Sequence, residues 1–248
     1  MKMHGNTILI TGGGSGIGEA LSHRLHDLGN VVLIAGRRLA LLQGAARGRK
    51  NIVPLLLDAD DPDAIEDFAR QAIADHPNLN VLVNNAGIMR MEALDTRRDL
   101  ADAEATIKTN MLGPIRMTNA FIDHLTTKPD AVIMNCTSGL AFVPLVASPT
   151  YSASKAAMHS YTVSLREALK GRVEVIELAP PAVQTSLTPG QETRPGYMPL
   201  SDFADEVVSI LSKNPTPSEL LVKRVDFLRL AEKEGRFATA LAALNGQN

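Results

Sequence analysis

Tyr151-Ser-Ala-Ser-Lys155 places a phenol and an ammonium group four residues apart. On a helix, residues at that spacing stack on one face. An isolated tyrosine has a pKa of about 10, and a neighbouring cation favours the phenolate and draws that value down. The pair therefore reads as a phenol tuned by Lys155 to trade a proton near neutral pH. Ser138 lies thirteen residues upstream, and its hydroxyl would hold a carbonyl or alcohol oxygen beside the phenol. Such a set suits a reaction in which a proton moves while a hydride moves.

Something must position these groups, and the start of the chain shows how. Thr7-Ile-Leu-Ile-Thr11 is β-branched and apolar and reads as a buried strand. Gly12-Gly-Gly-Ser15-Gly16-Ile17-Gly18 follows at once, and then a helical stretch with Ala20, Leu21, Leu25 and Leu28 on its apolar face. Strand, glycine-rich turn and helix form a dinucleotide-binding context. Glycines admit the backbone close to a pyrophosphate, and the helix N-terminus offers it unpaired N–H groups. The spacing of Gly12, Gly16 and Gly18 is G-x-x-x-G-x-G, not G-x-G-x-x-G.

Strand and helix alternate along the rest of the chain, which implies an α/β fold with a parallel sheet covered on both faces. The expected strands are 7–11, 30–35, 52–57, 80–84, 130–136, 173–178 and 219–222. The expected helices begin near Gly16, Leu39, Pro62, Asp102, Tyr151 and Ser201. Asp61-Pro62 is a helix start, with an N-cap residue followed by Pro at the first position. No internal repeat or linker divides residues 1–248, so a single domain is expected.

The formal net charge of -2 argues against nucleic acid or an anionic membrane as partner. Cys136 is the one cysteine, so no intrachain disulfide forms, and a reducing cytoplasm is expected. Cys136 itself reads as a strand residue packed in the core. No signal peptide or transmembrane segment is expected. The six histidines lack metal-ligand spacing, and no metal site is expected.

Five motifs now stand in one order: Thr11-Gly12-Gly-Gly-Ser-Gly16-Ile-Gly18, Asn84-Asn-Ala-Gly87, Asn110, Ser138 and Tyr151-x-x-x-Lys155. In these the chain strongly resembles the short-chain dehydrogenase/reductase family, over residues 5 to about 222. The stretches from Ser138 to Pro144 and from Ala179 to Val183 also resemble a bacterial oxidoreductase subgroup described as DltE-like. The resemblance implies a doubly wound Rossmann-type three-layer sandwich with seven parallel strands in the order 3-2-1-4-5-6-7.

It also implies site residues. Asp58 would bind the adenine amino group, with a backbone contact from Ala59. Asn84, Ala86 and Gly87 would line the adenosine ribose side, the Asn84 side chain also supporting its strand. Pro180, Val183 and Thr185 would pack the nicotinamide and grip its carboxamide. Pro180-Pro181 stands where the family often has Pro-Gly, which stiffens that turn. Lys155 would also bind the nicotinamide ribose. Asn110 would hold a water linking Lys155 to solvent, by fixing an irregular place in its helix.

The second strand ends in Gly36-Arg37-Arg38. A site for NAD usually has an acidic residue there. Gly36 removes the repulsion against a 2′-phosphate, and the arginines suit one. NADP(H) is expected over NAD(H), Arg37 being the main contact and Arg38 supporting it. The expected activity is interconversion of a carbonyl and a secondary alcohol with Tyr151 as acid/base; the alternative is a catalytically silent NADP(H)-binding sensor or docking protein.

Two further stretches matter. The Pro- and Gly-rich loop 188–199 is expected to be a substrate lid, with Glu192, Arg194, Tyr197 and Met198 as possible contacts. The apolar tail 225–248, interrupted at Gly235, covers either its own domain or a partner subunit. By family resemblance a homodimer or homotetramer is expected, through the helices spanning 102–125 and 151–170.

Overall fold

The computed structural model describes residues 1–246. Seven parallel strands form one sheet: β1 (Thr7–Thr11), β2 (Val31–Gly36), β3 (Ile52–Leu56), β4 (Leu79–Asn84), β5 (Val132–Cys136), β6 (Glu174–Leu178) and β7 (Glu219–Leu220). Their order is β3-β2-β1-β4-β5-β6-β7, as the resemblance implies. Each strand bound lies within two residues of its expected place. The edge strand β7 is the shortest, because the chain turns into a 3₁₀ segment at Lys223–Val225.

Helices cover both faces: α1 (Gly16–Asp27), α2 (Leu39–Ala46), α3 (Pro62–Asp75), α4 (Ala101–Ile107), α5 (Gly113–Leu125), α6 (Pro149–Ala168), α7 (Leu200–Leu211), α8 (Asp226–Arg229) and α9 (Phe237–Leu244). The capping read from Asp61-Pro62 is present. The Asp61 carboxylate accepts from the N–H of Asp63 at 2.9 Å and of Ala64 at 3.2 Å.

Successive strand residues point to opposite faces. Ile8 and Ile10 join Leu21, Leu25, Phe203 and Val207 under α1 and α7. Leu9 joins Ile65, Phe121 and Leu125 under α3 and α5. Burying each large side chain contributes about 1.5–3 kcal/mol, so both layers press on the strands whose C-terminal ends carry the site. Gly44 lies in α2, where an added Cβ would meet nothing within 4 Å. Gly44→Ala should therefore raise stability by about 0.5–1 kcal/mol, read as a higher urea midpoint at unchanged slope.

As far as residue 246 the tail packs on its own domain; residues 247–248 lie outside the described residues. Ala231 and Ala240 bury against Val143, with Leu228, Leu241 and Leu244 around them. Asn245 accepts from the Val146 N–H at 2.7 Å and donates to the Pro144 carbonyl at 3.2 Å. Gly235 separates α8 from α9 with a left-handed φ of 68°. Among the described residues, no helix is long and apolar enough to cross a membrane.

Candidate active site

Beyond β5 the chain runs through Thr137 into Ser138. The Thr137 N–H donates to the Leu178 carbonyl and the Gly139 N–H to that of Pro180, both at 2.8 Å, which ties this crossing to the end of β6. Ser138 Oγ accepts from the Leu140 N–H at 3.1 Å. Its own hydrogen stays free to point at the Tyr151 phenol. Tyr151 is the third residue of α6. Glu92 holds that first turn, accepting from the Thr150 N–H at 3.1 Å and the Thr150 hydroxyl at 2.8 Å. One turn later, Lys155 Nζ lies 5.6 Å from the Tyr151 ring centroid and donates to the Cys136 carbonyl at 2.8 Å.

The electrostatics correct the expected direction for the phenol. Burial holds Tyr151 above its ordinary value, the Cys136 thiol beside it adds to the shift, and the Ser138 hydrogen bond works against it. The residue is only 8% exposed. Burial also pushes Lys155 down, towards its neutral form. Desolvation is thus the largest influence on both groups. Cys136 ends β5 and packs against the core as expected, but it is half-buried and also lines the cleft, and burial raises its thiol.

Asn110 lies at an irregular place in its helix, as expected. Lys108–Leu112 is a π-helical turn joining α4 to α5. The Asn110 side chain is fully buried. Its Oδ1 accepts from the Ile88 N–H, and its Nδ2 donates to the Ile88 carbonyl, each at 2.8 Å, and to Ser154 Oγ at 3.2 Å. The amide is thereby committed to protein partners. It fixes the strand-to-loop crossing at Gly87, where an added Cβ would meet Asn110 Oδ1 at 3.2 Å and Lys155 Nζ at 3.6 Å.

Ser138, Tyr151 and Lys155 line a cleft of about 560 Å³ along the C-terminal edge of the sheet, and Asn110 stands behind its wall, outside the lining. The glycine turn lines the same cleft. Gly12 and Gly16 take left-handed φ values of 69° and 57°. Ser15 precedes α1 without capping it through its side chain, so the first helical N–H groups face the cleft. A bare, uncapped helix start in a glycine cradle fits a pyrophosphate. Gly12, Ser15, Gly16, Ile17, Arg37, Arg38, Asp58, Ala59, Ala86, Gly87, Pro180, Val183 and Thr185 all line this cleft with Ser138, Tyr151 and Lys155. Arg37 approaches Asp60 at 3.5 Å, and Arg38 donates to Ser15 Oγ at 3.3 Å.

Gly18 and Asn84 stand elsewhere. Gly18 packs α1 on the turn: an added Cβ would lie 2.4 Å from the Gly12 carbonyl oxygen. Asn84 is buried in the sheet, donating to Asn135 Oδ1 at 2.9 Å and Thr118 Oγ1 at 3.2 Å. It supports β4 as expected but does not line the ribose side. Asn85 takes that wall, donating to the Thr11 carbonyl at 2.9 Å. In the loop 188–199, Gln191 reaches the cleft. Met198 is instead buried in the core, and Arg194 stacks on Tyr197 at the surface.

The model of the short chain dehydrogenase family matches residues 6–195. The chain belongs to the short-chain dehydrogenase family. It is an oxidoreductase of that family with a nicotinamide-dinucleotide site, and it is DltE-like. It is 39% identical, over 94% of each chain, to the uncharacterized oxidoreductase DltE of Bacillus subtilis (strain 168). A short chain dehydrogenase from Burkholderia cenocepacia J2315 solved with NADP superposes with a TM-score of 0.82 at 25% identity, over 98% of each chain. A family member from Burkholderia phymatum solved with NAD shares the fold, with a TM-score of 0.83 at 20% identity over 96% of each chain.

Several groups in this short-chain dehydrogenase escaped the sequence reading. Asp60 accepts from Thr109 Oγ1 at 2.8 Å while meeting Arg37, so it links the second strand's end to the π turn. Gln191 donates to the Val183 carbonyl at 2.8 Å and Thr185 Oγ1 at 3.0 Å. Glu92 had no motif to mark it. Asn85 did: it is the second Asn of Asn84-Asn85-Ala86-Gly87, one residue past the strand.

Proposed function

We propose that the protein is an NADP(H)-dependent oxidoreductase that interconverts a carbonyl and a secondary alcohol, with Tyr151 as general acid/base. The observation carrying this reading is that Ser138, Tyr151 and Lys155 line the same cleft as the glycine turn. The dinucleotide, when bound, supplies or accepts the hydride. For reduction, Tyr151 gives its phenolic proton to the substrate oxygen. Ser138 donates a hydrogen bond to the same oxygen, where negative charge grows. Burial keeps the phenol neutral, which is the form a proton donor needs. Lys155 binds the nicotinamide ribose and, with Asn110 fixing the adjacent turn, stands on the path by which Tyr151 regains a proton. Oxidation uses the same groups in reverse.

Gly36, Arg37 and Arg38 favour NADP(H): no carboxylate ends β2, and both guanidinium groups border the cleft. NADPH should bind about tenfold or more tighter than NADH, since a hydrogen bond to a charged group contributes about 1.5–3 kcal/mol. Dissociation constants for the two nucleotides decide it, and equal or tighter NADH binding would contradict the choice. Activity itself is tested with a panel of small ketones and diketones, following nicotinamide absorbance. Turnover with NADPH is expected; tight binding without turnover on any of them would favour a silent nucleotide-binding protein.

Leu100 and Leu112 stand exposed on the α4–α5 surface. That supports a homo-oligomer through this face, to be read by light scattering. The lone thiol supports a cytoplasmic setting.

A further inference from the structure

We infer that Thr137, Glu177 and His159 form a positioning bridge that sets Ser138 against Tyr151, an inference that rests on the oxidoreductase reading above. Glu177 lies near the C-terminal end of β6, between Ile176 and Leu178, and is 0% exposed. An apolar residue at such a place would leave no buried polar group to satisfy. The carboxylate therefore calls for a reason other than stability, and its partners supply one.

Glu177 Oε1 accepts the Thr137 hydroxyl at 2.7 Å, and Oε2 accepts from His159 Nδ1 at 2.8 Å. Thr137 is the residue before Ser138. His159 follows Tyr151 and Lys155 at four-residue steps, so all three share one face of α6. Helix α6 thus grips the end of β5 at two successive turns. Lys155 reaches the Cys136 carbonyl directly, and His159 reaches Thr137 through Glu177. The residues after Ser138 are held from the same side. The Phe142 ring meets His159 edge-on with centroids 5.0 Å apart, and Arg229 lies 4.6 Å from the Phe142 centroid while paired with Glu219.

The chain on both sides of Ser138 is therefore fastened to the helix that carries Tyr151. The bridge bonds neither to Ser138 Oγ nor to the Tyr151 hydroxyl, so it acts through position. A misplacement of about 1 Å can cost on the order of 10²-fold in rate. That is ample reason to keep a buried carboxylate here.

The test uses the full chain and two pairs of variants. Thr137→Val and His159→Phe cut the bridge with little change of shape; Thr137→Ser and His159→Asn keep a donor near the same place. Turnover, dinucleotide affinity and melting temperature are measured for each. Cys136 is the single cysteine and sits at the gripped end of β5, so its labelling rate by an aromatic disulfide reagent reads that end locally. Thr137→Val and His159→Phe should lose about 10- to 100-fold in kcat with dinucleotide affinity nearly unchanged. They should also label Cys136 about tenfold faster, because one restraint on local opening is gone. Thr137→Ser and His159→Asn should recover most of both properties.

The bridge is overturned if Thr137→Val keeps wild-type labelling and turnover. It is equally overturned if losses follow the melting temperature and the donor-keeping variants restore nothing. Should the wild type reduce no carbonyl at all, the oxidoreductase reading fails, and labelling alone decides the bridge: unchanged rates in both cutting variants would refute it.

Discussion

Tyr151→Phe is expected to lower turnover by about 10²- to 10⁴-fold, the range for loss of a positioned acid/base, while dinucleotide affinity stays within about threefold. The substitution removes one oxygen and keeps the ring. That ring is almost fully buried and makes the contact with Lys155, so the helix face and the neighbouring cleft wall keep their shape. The loss should fall on kcat and kcat/KM together, as for an interaction made in the transition state. Near-wild-type turnover would remove Tyr151 from the mechanism. The same variant reports the phenol's acidity. Burial holds it above its ordinary value, so the neutral form persists to higher pH. The wild-type-minus-variant absorbance of the dinucleotide-free protein should show no phenolate below about pH 10. A phenolate near neutrality would mean that Lys155 outweighs desolvation after all.

Gly18→Ala is expected to weaken dinucleotide binding by more than about tenfold and to lower stability by about 1–3 kcal/mol, the usual cost of overpacking. The new Cβ would stand 2.4 Å from the Gly12 carbonyl oxygen and 2.5 Å from Asn85 Nδ2. The first of these is backbone and cannot rotate away. To relieve the overlap, α1 must move off the turn, which drags its uncapped N–H groups from the place they occupy at the cleft. Gly44→Ala is the contrast: the same substitution in open space should stabilise. Calorimetry with NADPH and urea unfolding check both, and a Gly18→Ala protein matching wild type in each would show that the close packing of turn and helix is dispensable.

Legibility followed the range of the forces involved. The buried strands announced themselves because both faces of a parallel sheet are covered, leaving short apolar runs such as Thr7–Thr11 and Val31–Gly36. The start of α3 was visible because a cap acts across three residues. The pairing of Tyr151 with Lys155 was visible because helical geometry fixes neighbours four apart. By contrast, Asn84 and Asn85 are adjacent and identical, yet one supports the sheet and the other lines the cleft. Side chains at a strand end alternate sides, and which of the two lined the cleft depended on the elements packed on each face of the sheet.

Glycine spacing, apolar runs and the helical repeat were enough to mark the strands, the glycine turn and the stacking of Tyr151 on Lys155, since each arises from contacts within a few residues or from patterns repeated along the chain, while the order of the strands in the sheet came from the family resemblance. Tertiary packing decided the rest. It turned the phenol's acidity upward, because desolvation depends on everything that surrounds a group. It laid the tail on Val143 of its own domain, a hundred residues away in sequence. It brought Thr137, just past β5, and His159, on α6, to the buried Glu177 carboxylate on β6, an arrangement that exists only once the two strands are neighbours and the helix lies across them.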